Sequence, residues 1–514
     1  MTKETNKKGF LLRALDAVEH VGNALPNPAT IFLILTGVVI ILSAICAACG
    51  VSVTYDGYDS AQGAIVEKTV VAVSLLSPDS IRHLVTTVVS SFTGFFALGT
   101  VFTIMIGVGV ADGTGLMSAV LRKVAASTPK SCITAVVVFL GIMSNIASST
   151  GYVVLVPLGA ILFMAFGRHP IAGLAAAFAG VSGGWSANLL IGTNDPMFAG
   201  MSTQAAHMLD PNYNVLPVCN WYFMMASTVL ITVIGTLVTD KIIEPRLTPY
   251  VPDTTEAVED IGENEKRGLR WAAVTFIAYL ILMAVLVVPT NGLLRNPETH
   301  SFLSSPFMSG IIFFMMLLFL LPGIAYGIGA GSIKNDKDVI ALMNKTISGL
   351  SSFMVLIFFA AQFNTCFNYS NLGTIISVSG ANFLQSVGFT GLPLVICFII
   401  MTAFINIFIA VDSAKWAIMA PIFVPMFMRL GLSPELTQVA YRIGDSSTNI
   451  IAPLMPFFVL TVAFFQKYDK KAGIGSVIST MLPYSVAFLI GWIIMFAVWY
   501  VLGLPLGPGA PLFY

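Results

Sequence analysis

From Pro28 to Ala48 the chain runs 21 residues without one charged side chain. A bilayer span needs about 20 apolar residues, and this 514-residue chain supplies roughly ten such stretches. Only 10% of its residues are charged, against roughly 25% in an ordinary soluble domain. Mean hydropathy is +0.88. These features exclude a soluble enzyme, a disordered regulator and a basic nucleic-acid binder, and predict an all-α polytopic membrane protein surrounded by lipid. The first apolar run begins too late and lasts too long for a cleaved signal peptide, so it reads as a first transmembrane helix. Lys and Arg total 25, as do Asp and Glu, so the net charge of zero points to no partner. Cys46 and Cys49 have CxxC spacing but no second pair, and read as small apolar residues.

Where the charges sit is more informative than their sum. Basic residues cluster in the N-terminal tail (Lys3, Lys7, Lys8, Arg13), at Arg122/Lys123/Lys130, Arg168, Lys241/Arg246/Lys266/Arg267/Arg270, Lys334/Lys337/Lys345 and Lys467/Lys470/Lys471. The positive-inside rule puts all of them, and the N-terminus, in the cytoplasm. The loops near 51–85, 201–218 and 291–306 then lie outside. Between Lys130 and Arg168 the chain is too short for two full spans and is broken at 144–151, which predicts a re-entrant hairpin. A second hairpin follows over 393–430, broken at 410–415. Full spans are expected near 27–49, 86–110, 170–200, 219–240, 271–290, 307–326, 346–367, 435–465 and 476–504, which makes nine.

Two halves of the chain share landmarks. Asn145, Pro157, Pro170 and Asn188 recur as Asn406, Pro421, Pro434 and Asn449, offset by 261 at the asparagines and 264 at the prolines. One hairpin starts from the cytoplasm and the other from outside, so the repeat is inverted. Inverted repeats with discontinuous helices mark secondary transporters that bind their solute near the bilayer midplane.

Four polar breaks converge in that architecture: 144–151, 411–416, 183–196 and 443–453. Freed carbonyls with Ser, Thr and Asn oxygens suit Na⁺, and freed helix N-termini suit an anion. Asn145, Ser148 and Asn406 are candidate Na⁺ ligands, and Asn188 and Asn449 candidate substrate ligands. Intramembrane charges are costly and usually functional, which singles out Asp112, Asp195, Asp412, Lys415, Arg442 and Asp445. Arg442 and Asp445 are spaced to neutralise each other on one helix. Their functional reading is a carboxylate held by Arg442 and a coupling cation sensed by Asp445. Lys415 is placed to snorkel, and Trp416 to stack on an aromatic solute or to pack.

Two other classes fit less well. Gly180-Val181-Ser182-Gly183 matches a GxSG protease pattern, but His20, His83, His169, His207 and His300 are all predicted in loops or at edges, away from that serine. A channel would need no inverted pair of hairpins.

The stretches Ser186–Pro196, Ser413–Pro425 and Ala440–Pro453, with the opening Val18–Pro26, resemble the p-aminobenzoyl-glutamate transporter (AbgT) family over nearly the whole chain. The resemblance implies homodimers of nine transmembrane helices and two hairpins per subunit. It also implies coupling to Na⁺ or protons, and import of p-aminobenzoyl-glutamate or export of sulfonamide antimetabolites. Carried over by motif, the functional positions are Asp195, Ser413, Trp416, Pro434, Arg442, Asp445 and Pro453. Asp412 has no clear family counterpart. The wider fold resembles elevator-type divalent-anion symporters.

The expectation is a homodimeric transporter, not an enzyme, in a bacterial inner membrane, for a small anionic aromatic or dicarboxylate solute. Uptake of another dicarboxylate or amino acid is the alternative. No cofactor is expected beyond a bound Na⁺. Residues 1–85 would hold the tail, first helix and external loop, and 86–200 the first transport unit. Residues 201–345 would form the dimer scaffold, 346–465 the second transport unit, and 466–514 the last helix.

Overall fold

The computed structural model describes residues 26–514 except 27, 60–63, 127–128, 130–131, 148–149, 248–261, 301, 303–304, 410, 454 and 456. The Ser148 expectation, and Val18–Leu25 of the opening motif, lie outside the described residues. The chain starts with helix α1 (Pro28–Ala48) and a two-stranded antiparallel hairpin, β1 (Ser52–Asp59) and β2 (Ala64–Val71). The fold is predominantly helical, as expected, and this hairpin is an addition within the 51–85 loop that the sequence reading did not give. Its signal is modest but physical: β-branched residues recur on both strands, with two tyrosines on β1, and Thr54 and Thr69 share a cross-strand hydrogen bond of 2.9 Å.

Next come α2 (Pro78–Thr93), α3 (Phe96–Gly113) and α4 (Leu116–Ala126). A break at Gly94-Phe95 separates α2 from α3, so the expected span 86–110 is not one helix. The first re-entrant pair is α5 (Ile133–Ser144) and α6 (Thr150–Ala165). Helix α7 (Pro170–Phe178) runs into a π turn at Ala179–Gly183, the chain unwinds, and α8 (Asn194–Ala206) follows. The middle block is α9 (Trp221–Val238), α10 (Glu263–Val287), α11 (Ile311–Ala330) and α12 (Asp336–Gly349). The second half holds α13 (Ser351–Tyr369), α14 (Leu372–Ser386), the second hairpin α15 (Gly391–Phe408) and α16 (Asp412–Arg429), then α17 (Pro434–Asn449), α18 (Phe458–Tyr468) and α19 (Ile474–Val501).

Among the described residues, seven helices are long and apolar enough to cross a bilayer, or eight if the bent pair α3–α4 is one span. The expected spans 170–200 and 435–465 are each two shorter helices around a break. The second break begins only after Asn449, so Ile443–Asn449, expected to be unwound, is helical. The reason is capping and packing: the Ser433 hydroxyl caps the Leu436 N–H at 3.1 Å, Pro434 takes the first helical position, and every residue of α17 is buried.

Ion pairs and turns tie the loops to two opposite faces. At one face Arg168 bonds Asp240, Glu244 and Thr134, and Arg122 meets Glu265 at 2.5 Å. Both ends of the α5–α6 hairpin therefore sit there, with the basic clusters. At the other face the Arg429 guanidinium lies 4.9 Å from the Tyr55 ring centre, Ser433 N–H donates to the Leu512 carbonyl, and the Tyr213 and Tyr514 rings are 5.6 Å apart. That is where α16 ends. Helix α9 crosses from this face, at Trp221, to the Arg168 face, where its π continuation carries Asp240. The two hairpins thus enter from opposite faces.

The repeat is also visible in atomic contacts. A Cβ on Gly180 would stand 2.3 Å from the Val138 carbonyl oxygen, and one on Gly444 would stand 2.4 Å from that of Ile399. Gly180 and Gly444 are offset by 264, Val138 and Ile399 by 261, the same offsets as the prolines and asparagines. In each half a glycine of the broken helix rests directly on the first helix of its hairpin, close packing that only a residue without a side chain allows. Helix α3, expected in the first transport unit, packs closely on the middle block: Gly107 rests on Met316 of α11, and Gly109 on Thr346 of α12.

Gly180→Ala and Gly444→Ala should each destabilise the purified protein by about 1–3 kcal/mol through overpacking, read as a lower melting temperature in detergent. Gly37→Ala, with open space around it, should leave stability unchanged or slightly raised. Equal melting of all three variants would contradict the packing described.

Candidate functional site

Helix α17 carries the centre of the site. The Lys415 ammonium, on the first turn of α16, lies 2.5 Å from Asp445 Oδ1, and both side chains are 1% exposed. Lys415 also bonds Asn406 Oδ1. The Asn406 amide donates to the Asp445 carbonyl (2.7 Å), Thr448 Oγ1 (3.0 Å) and Asn449 Oδ1 (2.8 Å), and Asn449 donates to Asp445 Oδ2 at 3.3 Å. Five side chains from three segments, Asn406, Lys415 and the Asp445/Thr448/Asn449 group, thus form one closed network.

One turn earlier on α17, Arg442 Nη2 stands 2.6 Å from Asp195 Oδ1. Asp195 is held by the Gly192 N–H at 2.6 Å. Arg442 and Asp445 therefore do not neutralise each other. Each pairs with a residue from another segment, because side chains three apart on a helix also diverge enough to face different neighbours. Among the described residues Arg442 Nε and Nη1, both buried, have no hydrogen-bond partner, and neither has the buried Ser186 hydroxyl beside them. Two guanidinium donors are thus left for a further acceptor.

Lys415 does not snorkel, since its partner Asp445 lies inside the protein. Asp412 accepts from Trp185 Nε1 (2.8 Å), Asn194 Nδ2 (3.4 Å) and the Ser413 N–H (2.6 Å). Asp195 and Asp412 both stand in the first turn of a short helix, α8 and α16. The positive helix ends expected to receive an anion are therefore already matched by the protein's own carboxylates. Arg442, with two unpartnered donors, is the cation of the site left able to take a further acceptor.

Trp416 is fully buried: its ring centre lies 4.5 Å from that of Tyr441, and its Nε1 donates to Ser202 Oγ at 3.2 Å. Ser202 donates in turn to Gln438, which donates to Asn220. In this state Trp416 locks α16 to α17 and α8, and its ring is covered. Ser413 starts α16 beside Asp412. Pro434 opens α17 eight residues before Arg442, about 12 Å along the axis, and Pro453 lies in the break beyond Asn449. These two prolines shape the helix ends without joining the polar network. Tyr213, in the loop after α8, donates to Glu435 at 2.8 Å, and burial together with that carboxylate pushes its hydroxyl well above the usual range.

The first-half asparagines behave differently. Asn145 is buried with neither amide atom bonded. It is close to Asp195: a methyl placed on Gly192 would lie 3.5 Å from the Asn145 carbonyl oxygen and 3.7 Å from Asp195 Oδ2. Asn188 instead braces the unwound segment, bonding the Ile142 carbonyl and the Leu190 N–H. The oxygens of Asn406, Asp445 and Thr448 are of the type a Na⁺ ion takes, but the Lys415 ammonium already stands among them.

Sequence reasoning flagged Lys415 and Asp412 as costly charges without pairing them. It missed Trp185, Tyr441, Ser202 and Gln438. Their one signal is polar or amphipathic character inside apolar helices, which does not distinguish a network member from a packing residue.

Lys415→Met should destabilise the protein by about 3–5 kcal/mol, because the Asp445 charge is left buried and unpaired. Adding Asp445→Leu should recover most of that loss. Melting curves of the three proteins check this, and no recovery in the double variant would refute the pairing.

Comparison with known proteins agrees with this architecture. Residues 13–514 match the family model described as the AbgT putative transporter family. The chain is 39% identical over 492 residues to the p-aminobenzoyl-glutamate transport protein of Escherichia coli strain K12, covering 96% of this chain and 95% of that one. Among solved structures it is similar to the Alcanivorax borkumensis YdaH transporter, with TM-score 0.88, 42% identity, and 94% of this chain and 100% of that one covered. It is similar as well to Neisseria gonorrhoeae MtrF, described with a class of antimetabolite efflux pumps, with TM-score 0.91, 49% identity, and 97% and 100% covered. With a family match over nearly its full length and relatives of this identity, the chain belongs to the AbgT family of transporters.

Proposed function

We propose that the protein is an ion-coupled secondary transporter for p-aminobenzoyl-glutamate-type anions or for sulfonamide-type antimetabolites. The single observation that carries this reading is Arg442: a buried guanidinium, paired on one side with Asp195, whose Nε and Nη1 have no partner. A carboxylate or sulfonamide anion supplies the acceptor those donors lack. Asp195 then acts as the internal counter-ion that a bound anion displaces or shares.

Charge balance supports coupling. Asp195, Asp412 and Asp445 face only Lys415 and Arg442, so the fully ionised site carries one negative charge too many. Within a membrane such an excess is costly, and a Na⁺ ion or a proton cancels it. Asn145, whose side-chain amide has no partner among the described residues, is one place for the cation, and the Asn406–Asp445 network is another, provided Lys415 swings aside. In this reading the hairpin-bearing units move as an elevator against a scaffold built on α9–α12, in a homodimer within a bacterial inner membrane, with the Arg168 face cytoplasmic. The names of the E. coli and N. gonorrhoeae relatives support the two solute classes.

Labelled p-aminobenzoyl-glutamate should accumulate in proteoliposomes when an inward Na⁺ or proton gradient is imposed, and Asp445→Asn and Arg442→Gln should each lower that uptake at least ten-fold. Tight vesicles that accumulate nothing under either gradient would exclude this solute and turn attention to other dicarboxylates and amino acids.

A further inference from the structure

The inverted repeat places one contact at matched positions in each half, and the two contacts differ in chemistry. Six residues before Pro157 stands Gly151, and six before Pro421 stands Lys415, so the offset of 264 pairs them. The same offset pairs Val181 with Asp445. In the first half a Cβ on Gly151 would stand 3.1 Å from Val181 Cγ1, and closer still to Ser144 Oγ. In the second half the Lys415 ammonium stands 2.5 Å from Asp445 Oδ1. The ammonium and the carboxylate thus replace a glycine and a valine as a pair, and the contact carries no net charge in either half.

The surroundings of the ammonium are those of a bound cation. Asn406 Oδ1 and Asp445 Oδ1 both accept from it. Three acceptors on α17, the Asp445 carbonyl, Thr448 Oγ1 and Asn449 Oδ1, draw the Asn406 amide nitrogen and so turn its oxygen towards the lysine. The Tyr441 ring covers a further side, its centre 5.5 Å from Nζ. A carboxylate oxygen and an amide oxygen are the donors a hard cation takes. With the ammonium already bonded to both, a Na⁺ ion at the same oxygens would meet a like charge a few ångströms away in a buried site, where repulsion is poorly screened. The lysine is also fixed in place. Its side chain is 1% exposed, and the next residue, Trp416, holds the first turn of α16 against Tyr441 and Ser202.

We propose that Lys415 is a tethered cation: its ammonium fills the second-half ion position, so the Asn406–Asp445 network takes no Na⁺ in the wild-type protein. This deepens the coupling reading given above, on which its consequence for transport rests, and it decides between the two cation places named there. A coupling Na⁺ sits outside this network, and the second half contributes a fixed positive charge in place of an exchangeable ion. Lys415 thereby sets ion selectivity by occupancy. Once the lysine is shortened or made neutral, the same oxygens, now without a counter-charge, become a Na⁺ site.

The test counts radioactive Na⁺ bound at saturation to the full-length protein in nanodiscs, with no solute present. Wild type is compared with Asp445→Asn, Lys415→Ala, Lys415→Gln and the double variant Lys415→Ala with Asp445→Asn, each taken as folded when it elutes as a single species. Wild type and Asp445→Asn should bind the same number of ions per chain, because the Asp445 position is already filled. Lys415→Ala or Lys415→Gln should bind one ion more than wild type, and adding Asp445→Asn should abolish that gain, so one folded lysine variant suffices. Fewer ions on Asp445→Asn than on wild type, or no gain on a folded lysine variant, would overturn the tethered cation. These counts need no solute and so stand apart from the uptake experiment: vesicles that accumulate no p-aminobenzoyl-glutamate would count against the transport reading and leave the occupancy of the network untouched.

Discussion

The structure depends on the cost of carrying charge through a bilayer. Five acidic or basic side chains, Asp195, Asp412, Lys415, Arg442 and Asp445, sit where three inward-facing segments meet, and all but Asp412 are buried. Four of them find a counter-charge inside the protein in partners far apart in sequence, Lys415 with Asp445 and Arg442 with Asp195, while Asp412 is held by neutral donors alone. These two pairs bind the tip of the second hairpin and the unwound segment before α8 to the same helix, α17. Removing one partner leaves an unpaired charge in a dry core, a larger penalty than losing any single apolar contact. The pairs thus fix which conformation the broken helices adopt, and any solute or cation that enters must exchange with them.

Such exchange is possible because the backbone around the charges is held by packing that does not involve them. Gly180 and Gly444 sit on hairpin carbonyls, so each broken helix and its hairpin form one rigid piece. The chain can then unwind at 184–193 and after Asn449 without loosening the hairpins. The protein's own carboxylates at the starts of α8 and α16 satisfy the helix ends that unwinding exposes. The second-half asparagines, Asn406 and Asn449, are bonded into the network, whereas among the described residues the Asn145 side chain in the first half has no partner. The repeat is symmetric in backbone and asymmetric in chemistry, which suits a site that binds unlike ligands at its two related ends.

Much of the architecture was legible in the sequence because it follows from spacing. Basic clusters gave the loops their faces, and the contacts of Arg168 and of Tyr55 with Arg429 agree with that division. Prolines at 170 and 434 marked helix starts, and the offsets of 261 and 264 reappear as matched glycine contacts. The β-hairpin and the late start of the second break were less legible: strand pairing needs a partner that sequence does not name, and burial kept Ile443–Asn449 helical despite Gly444 and two serines. At the site, residue types were readable but pairings were not. Arg442 and Asp445 have the spacing of a local pair, and only the approach of α8 and α16 shows that each has a distant partner.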